Sequence, residues 1–108
     1  MPRSPLALAA LATAAVPGLD ARSVRPEEVP GDYDVAVVTA ADDRDWLVRA
    51  PRTTMAGAAL EAEIELLEAL HLYVEAGVLP FTVPQVAGYA LLPEGGRAVV
   101  HQHVTGDP

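Results

Sequence analysis

The stretch Trp46-Leu47-Val48-Arg49-Ala50-Pro51-Arg52, together with Leu60-Glu61-Ala62-Glu63-Ile64-Glu65-Leu66-Leu67-Glu68-Ala69-Leu70, decides the fold. The first segment is short and apolar and ends in a cation and a proline. It reads as a strand over residues 46–50. Pro51 stops that strand because proline has no N–H for the ladder. The second segment repeats its apolar residues at helical spacing. A helical residue turns by about 100°, so with Leu60 at zero, Ile64 falls at about +40° and Leu67 at about −20°. His71, Val74 and Leu70 follow at about +20°, −40° and −80°, which makes one apolar stripe. Glu61, Glu65, Glu68 and Glu75 lie between about +60° and +140° and read as a solvated acidic face.

Glu63 is different. It falls at about −60°, inside the stripe. A half-buried carboxylate with no partner costs on the order of several kcal/mol. Glu63 therefore takes a cation or moves to the stripe's rim, where it reaches water. Arg49, at the end of the preceding strand, is the nearest cation, and Arg52 competes with it.

Working outward, residues 5–15 read as a helix, with Ser4 as N-cap, Pro5 at the first helical position and Pro17-Gly18 ending it. Residues 21–29 read as a strand weakened by Pro26. Pro30-Gly31-Asp32 is a turn. Residues 34–40 form a Val-rich strand, and Asp42-Asp43-Arg44-Asp45 form a polar hairpin connection. The long helix is expected over residues 54–77, capped by Thr53 or Thr54, with Gly77 at its left-handed end. Residues 79–84 read as an extended connector held by two prolines. Residues 85–92 and 97–104 read as strands around the turn Pro93-Glu94-Gly95-Gly96. The expected fold class is α+β: five strands, mostly antiparallel, with one long packed helix and an N-terminal helix. The expected organisation is one domain over residues 1–108, with a leading helix in 1–20, sheet and helix in 21–104, and a linker beginning at 105–108.

Composition narrows the function classes. Apolar residues make up 51% and charged residues 20%, a globular balance rather than a disordered one. There is no Cys, which excludes disulfides, thiolate metal sites and Cys nucleophiles. The net charge of −8 comes with 15 acidic residues against seven basic ones, all of them Arg. That argues against nucleic acid and anionic membranes as partners. No apolar run is long enough to span a bilayer. Residues 6–16 also have the look of a short secretory segment, but one Arg and an Ala-rich run suit a cytoplasmic helix better. His101 and His103 form a His-x-His pair; no metal site is expected there.

In order and spacing, these segments resemble the N-terminal lobe of aminoglycoside/macrolide phosphotransferase-type kinases, and most of all the macrolide branch. The residues that carry the resemblance are GDYDVAVVT from Gly31, WLVRAPR from Trp46, LEAEIELLEAL from Leu60, LPFTVPQV from Leu79 and VVHQHVTGDP from Val99. They cover nearly the whole chain. The resemblance implies that Arg49 stands where kinases carry a phosphate-binding Lys, and that Glu63 is the helix carboxylate orienting that cation. It implies that the turn Gly31-Asp32-Tyr33 covers the nucleotide phosphates, although it has one Gly in place of a Gly-rich set. It implies that the segment 101–104, including Gln102, His103 and Val104, is a hinge whose backbone meets the purine. Val37 and Val48 would sandwich the base. The cofactor implied is ATP or GTP, with Mg²⁺ and a small-molecule acceptor held by an absent C-terminal lobe.

The family's H-G-D-x-x-x-x-N loop and D-x-D metal motif are not in this sequence. Asp42, Asp43 and Asp45 belong to a hairpin and do not replace them. Two readings follow. In the first, the chain is a nucleotide-binding lobe cut near the hinge and not catalytically complete alone. In the second, it is a small non-enzymatic interaction module that self-associates through an exposed sheet face.

Overall fold

A computed structural model describes residues 3–75, 77 and 86–103 of the chain. Its elements run α1 (Pro5–Ala15), β1 (Ala21–Glu27), β2 (Tyr33–Ala40), β3 (Asp45–Pro51), α2 (Thr54–Glu75), β4 (Val86–Leu91) and β5 (Arg97–His103). The strands form one five-stranded sheet in the order β1-β2-β3-β5-β4. Every neighbouring pair is antiparallel. The chain is therefore α+β, as expected. After β3, the chain passes through α2 to the far edge, and β5 returns to lie between β4 and β3.

Local chemistry explains the helix starts. Ser4 Oγ accepts the Ala7 N–H at 3.1 Å, and Pro5 follows at the first helical position. Thr53 Oγ1 accepts the Ala56 N–H at 3.0 Å and caps α2. Gly77, just beyond α2, has φ 74, the left-handed conformation that suits a helix C-terminus. Two boundaries differ instructively from the sequence reading. Pro51 does not stop β3 short; it is the last strand residue, paired with Tyr33, beyond the last residue of β3 that pairs with β5. Pro26 is tolerated inside β1 because β1 is an edge strand. The connector expected at 79–84 lies outside the described residues, as do Gln85 and Val104.

Strand alternation sends side chains to two faces, and each face has a helix. On one face, α1 packs Leu8, Ala12, Ala15 and Val16 onto Ala36, Val38, Val48, Ala50, Ala90, Ala98 and Val100. Small residues let the helix lie close to the sheet. Gly88 marks the tightest approach, where an added Cβ would stand 2.0 Å from the Ala15 carbonyl oxygen. On the other face, α2 packs Leu60 and Ile64 onto Val99, flanked by Tyr33, Val86 and Tyr89. This second helix covers only part of its face. Val35, Val37 and Leu47 lie beside it and line a cavity.

The acidic face of α2 is only partly solvated. Glu65 and Glu68 are exposed. Glu61 is half-buried and accepts two hydrogen bonds from Arg97, from Nε and Nη2, both at 2.8 Å. Arg97 also lies 4.0 Å above the Tyr89 ring. A cation reaching up from β5 thus draws Glu61 toward the sheet, which the helical wheel alone does not show.

Candidate functional site

Register builds the site. On β2, Val35 lies opposite Arg49 and Val37 opposite Leu47. On β5, Val99 lies opposite Arg49 and His101 opposite Leu47. All these side chains share the α2 face of the sheet. Around them is an open cavity of about 420 Å³, lined by Val29, Pro30, Val35, Val37 and Leu47 with Arg49. Glu27 and Tyr33 complete the wall. That volume falls within the range of small-molecule sites, roughly 300–1,000 Å³. The wall has an apolar floor, one cation, Arg49, and one carboxylate, Glu27; the floor suits a flat apolar group and the cation an anionic one.

Arg49 pairs with Glu63 through Nη2 and Glu63 Oε2. The carboxylate in the apolar stripe has therefore taken the nearer cation. Arg52, the competitor, instead donates its Nε to Asp34 Oδ1 at 2.6 Å. The hydrogen bond from Arg49 holds the Glu63 carboxyl below its usual range, against a smaller opposing push from burial. Arg49 Nη2 also lies 3.3 Å from His101 Nε2. Its Nε is buried and has no partner among the described residues. An arginine has five N–H donors, and every hydrogen bond that the described residues give Arg49 leaves from Nη2.

The other expected site residues are spread out. Gly31 and Asp32 are exposed, and the turn contributes Val29, Pro30 and Tyr33 to the cavity wall. The Asp32 carbonyl accepts the Arg52 N–H at 2.7 Å, which ties the turn to the end of β3. Tyr33 donates its hydroxyl to the Ala56 carbonyl at 3.0 Å, so its ring is pinned against the start of α2. Gln102 is exposed and lies opposite Trp46, on the α1 side of the sheet. His103 pairs with Asp45 at the end of the sheet away from Gly31. Val104 lies outside the described residues.

Two positions carry more than the sequence reading assigned them. His101, read as the start of the hinge, is inside β5 and only 6% exposed. Asp34, read only as the start of a strand, is 4% exposed. Its Oδ2 accepts from the Arg3 backbone N–H at 3.1 Å and from Arg3 Nη1 at 3.0 Å. Arg3 also donates to the Pro51 carbonyl at 3.1 Å and pairs with Glu94 in the β4–β5 turn. Burial pushes the Asp34 carboxyl upward, but the hydrogen bonds from Arg52 and Arg3 outweigh it and the net displacement is downward. The signal was present in the sequence. Asp34 opens a Val-rich strand buried on both faces, in phase with Ala36, Val38 and Ala40 on the α1 side, so either phase would have buried it.

Among the described residues, no group of three or more His, Asp or Glu side chains gathers as a metal site. No helix among them is long and apolar enough to cross a membrane.

No protein-family model matches this sequence. No curated protein matches it either. Solved structures do. The GDP complex of wild-type aminoglycoside 2'-phosphotransferase-IIIa superposes with a TM-score of 0.74 at 20% identity, covering 97% of this chain and 32% of that one. A GDP and kanamycin complex of APH(2")-IIIa superposes with a TM-score of 0.71 at 22% identity, covering 94% of this chain and 31% of that one. The chain thus spans about a third of the length of the structures it matches. In fold, this chain is similar to the kinase-like N-lobe of the aminoglycoside phosphotransferases.

Proposed function

We propose that this chain is the nucleotide-binding lobe of a small-molecule phosphotransferase of the antibiotic-kinase type. ATP or GTP lies in the cavity, its base against Val35, Val37 and Leu47 and its phosphates on Arg49; Val48, expected to share the base with Val37, packs on the α1 face instead. The observation that carries this reading is the donor balance of Arg49. Glu63 takes one N–H of Nη2, while the buried Nε has no partner among the described residues. A buried donor left unpaired costs about 1–3 kcal/mol, and a phosphate that draws the guanidinium toward the cavity would remove that cost. The guanidinium keeps its charge at all working pH and leaves Nη1 to donate to a phosphate oxygen.

The turn Gly31-Asp32-Tyr33 stands at the phosphate end of the cavity. Gln102 and His103, at the other end of the sheet, offer backbone groups to the base, and Val104 is assigned the same role. The similar solved structures are GDP complexes, one of them with kanamycin, which supports a nucleotide and a small-molecule acceptor as ligands. Catalytic base, Mg²⁺ and acceptor belong to a second lobe in this proposal. Bound Mg²⁺ would there neutralise charge on the phosphates. The cytoplasm, where ATP and GTP are plentiful, is the proposed location.

The test is titration calorimetry of the chain with GTP, ATP, guanosine and adenosine. A charge-assisted hydrogen bond contributes about 1.5–3 kcal/mol, so Arg49→Ala should weaken triphosphate binding about 10- to 100-fold. Nucleoside affinity should not change. Equal triphosphate affinity in wild type and Arg49→Ala would sink the proposal.

A further inference from the structure

His101 stands beside the proposed clamp, in the adjacent strand. It is diagonal to Arg49 across the β3–β5 ladder, since Arg49 pairs with Val99 and His101 with Leu47. Its Nε2 lies 3.3 Å from Arg49 Nη2. Arginine has no acceptor and stays protonated, so in this contact it can only donate. Nε2 must then be the unprotonated nitrogen and Nδ1 must carry the proton. His101 is buried, at 6% exposure.

We propose that His101 is a positioning residue for Arg49, an inference that rests on the nucleotide reading of the cavity. Nη2 has two N–H groups. Glu63, from α2, takes one, and His101, from β5, takes the other. Two acceptors on separate elements fix the guanidinium plane against rotation about its own axis. One acceptor would leave that rotation open. Nη1, which donates to none of the described residues, is thereby left for an anion in the cavity that Arg49 lines. A neutral histidine does this without adding a second cation, and it does not compete with Arg49 for the Glu63 carboxylate. An arginine is otherwise a flexible anchor, and fixing it in advance lowers the entropy lost when an anion binds.

The test uses the whole chain, with nitrogen-15 NMR of the imidazoles and calorimetry with GTP and guanosine. His101→Leu removes the acceptor at similar volume. His101→Gln restores an amide oxygen close to the position of Nε2. We expect His101→Leu to weaken GTP binding about fivefold, the effect of one hydrogen bond, while guanosine affinity stays at the wild-type value. His101→Gln should recover most of the loss. A core defect would instead weaken both ligands, and Gln would not rescue it. In the wild-type protein, the His101 signals should show Nε2 unprotonated, and Arg49→Ala should shift them.

A protonated Nε2 overturns the inference even if the variants fail to fold. So does His101→Leu binding GTP as tightly as wild type, or Leu and Gln losing affinity equally. If wild type binds no GTP, the nucleotide reading fails separately. The NMR result then decides: an accepting Nε2 keeps His101 as the element that orients Arg49, and a protonated one removes it.

Discussion

Replacing Gly88 with alanine places a methyl group between β4 and the last turn of α1. The new Cβ would lie 2.0 Å from the Ala15 carbonyl oxygen, 2.8 Å from its carbon and 3.4 Å from its Cβ. Real Cβ contacts do not fall below 3.0 Å, so α1 must retreat by about 1 Å. The obstacle is backbone, so no side-chain rotation relieves it. The retreat loosens Leu8, Ala12 and Ala15 against the whole alanine-rich face of the sheet. Overpacking of this kind costs about 1–3 kcal/mol, and a backbone clash belongs at the upper end. Out of a total stability of about 5–15 kcal/mol, that is a large share.

Gly57 is the internal control. It lies within α2, and an alanine there would meet nothing closer than the Pro51 ring at 3.7 Å, an ordinary contact. Alanine is about 0.8–1 kcal/mol better than glycine inside a helix. Urea unfolding followed by circular dichroism measures both variants. With a denaturant slope of about 1–3 kcal/mol/M, Gly88→Ala should lower the midpoint by about 1–3 M. Gly57→Ala should raise it by a smaller amount. If Gly88→Ala unfolds at the wild-type midpoint, α1 does not sit on β4 as described and the packing argument is wrong.

Other expectations follow from the same contacts. Asp34→Ala should cost about 3 kcal/mol, the low end for a broken buried pair, because Arg52 is 45% exposed and rehydrates; the same unfolding assay reads it. The Asp34 carboxyl is displaced downward on folding, so its contribution is complete above the ordinary carboxylate range and is lost as pH falls through the folded value. Acid unfolding should therefore steepen at the bottom of the carboxylate range in wild type and be shallower in Asp34→Ala. Ser4→Ala, which removes the cap at Ala7, should cost about 1 kcal/mol by thermal melting, and Ser4→Asp should recover it.

Much of this architecture was legible in local sequence. The α1 bounds follow from Ser4-Pro5 and Pro17-Gly18, and the β2–β3 hairpin follows from a Val-rich run meeting an Asp-rich turn. The wheel singled out Glu63 because a carboxylate in phase with Leu60 and Ile64 conflicts with its neighbours. For Asp34 the signal was weaker, since β2 is buried on both faces and strand phase alone does not set it apart. Glu61 was not legible, since its partner Arg97 belongs to a strand far along the chain.

By itself, then, the sequence determined the elements, their order and the presence of a carboxylate that needs a cation. These are set by residues within a few positions of each other, through capping, periodicity and turn chemistry. Only the tertiary structure decided which partner each charge takes. Arg49 goes to Glu63 while Arg52 and Arg3 converge on Asp34. His101 turns inward to Arg49, and Gly88 meets Ala15. Those contacts join residues from different strands and helices, and the register of the sheet brings them together. Register is a property of the paired strands, which no single segment contains.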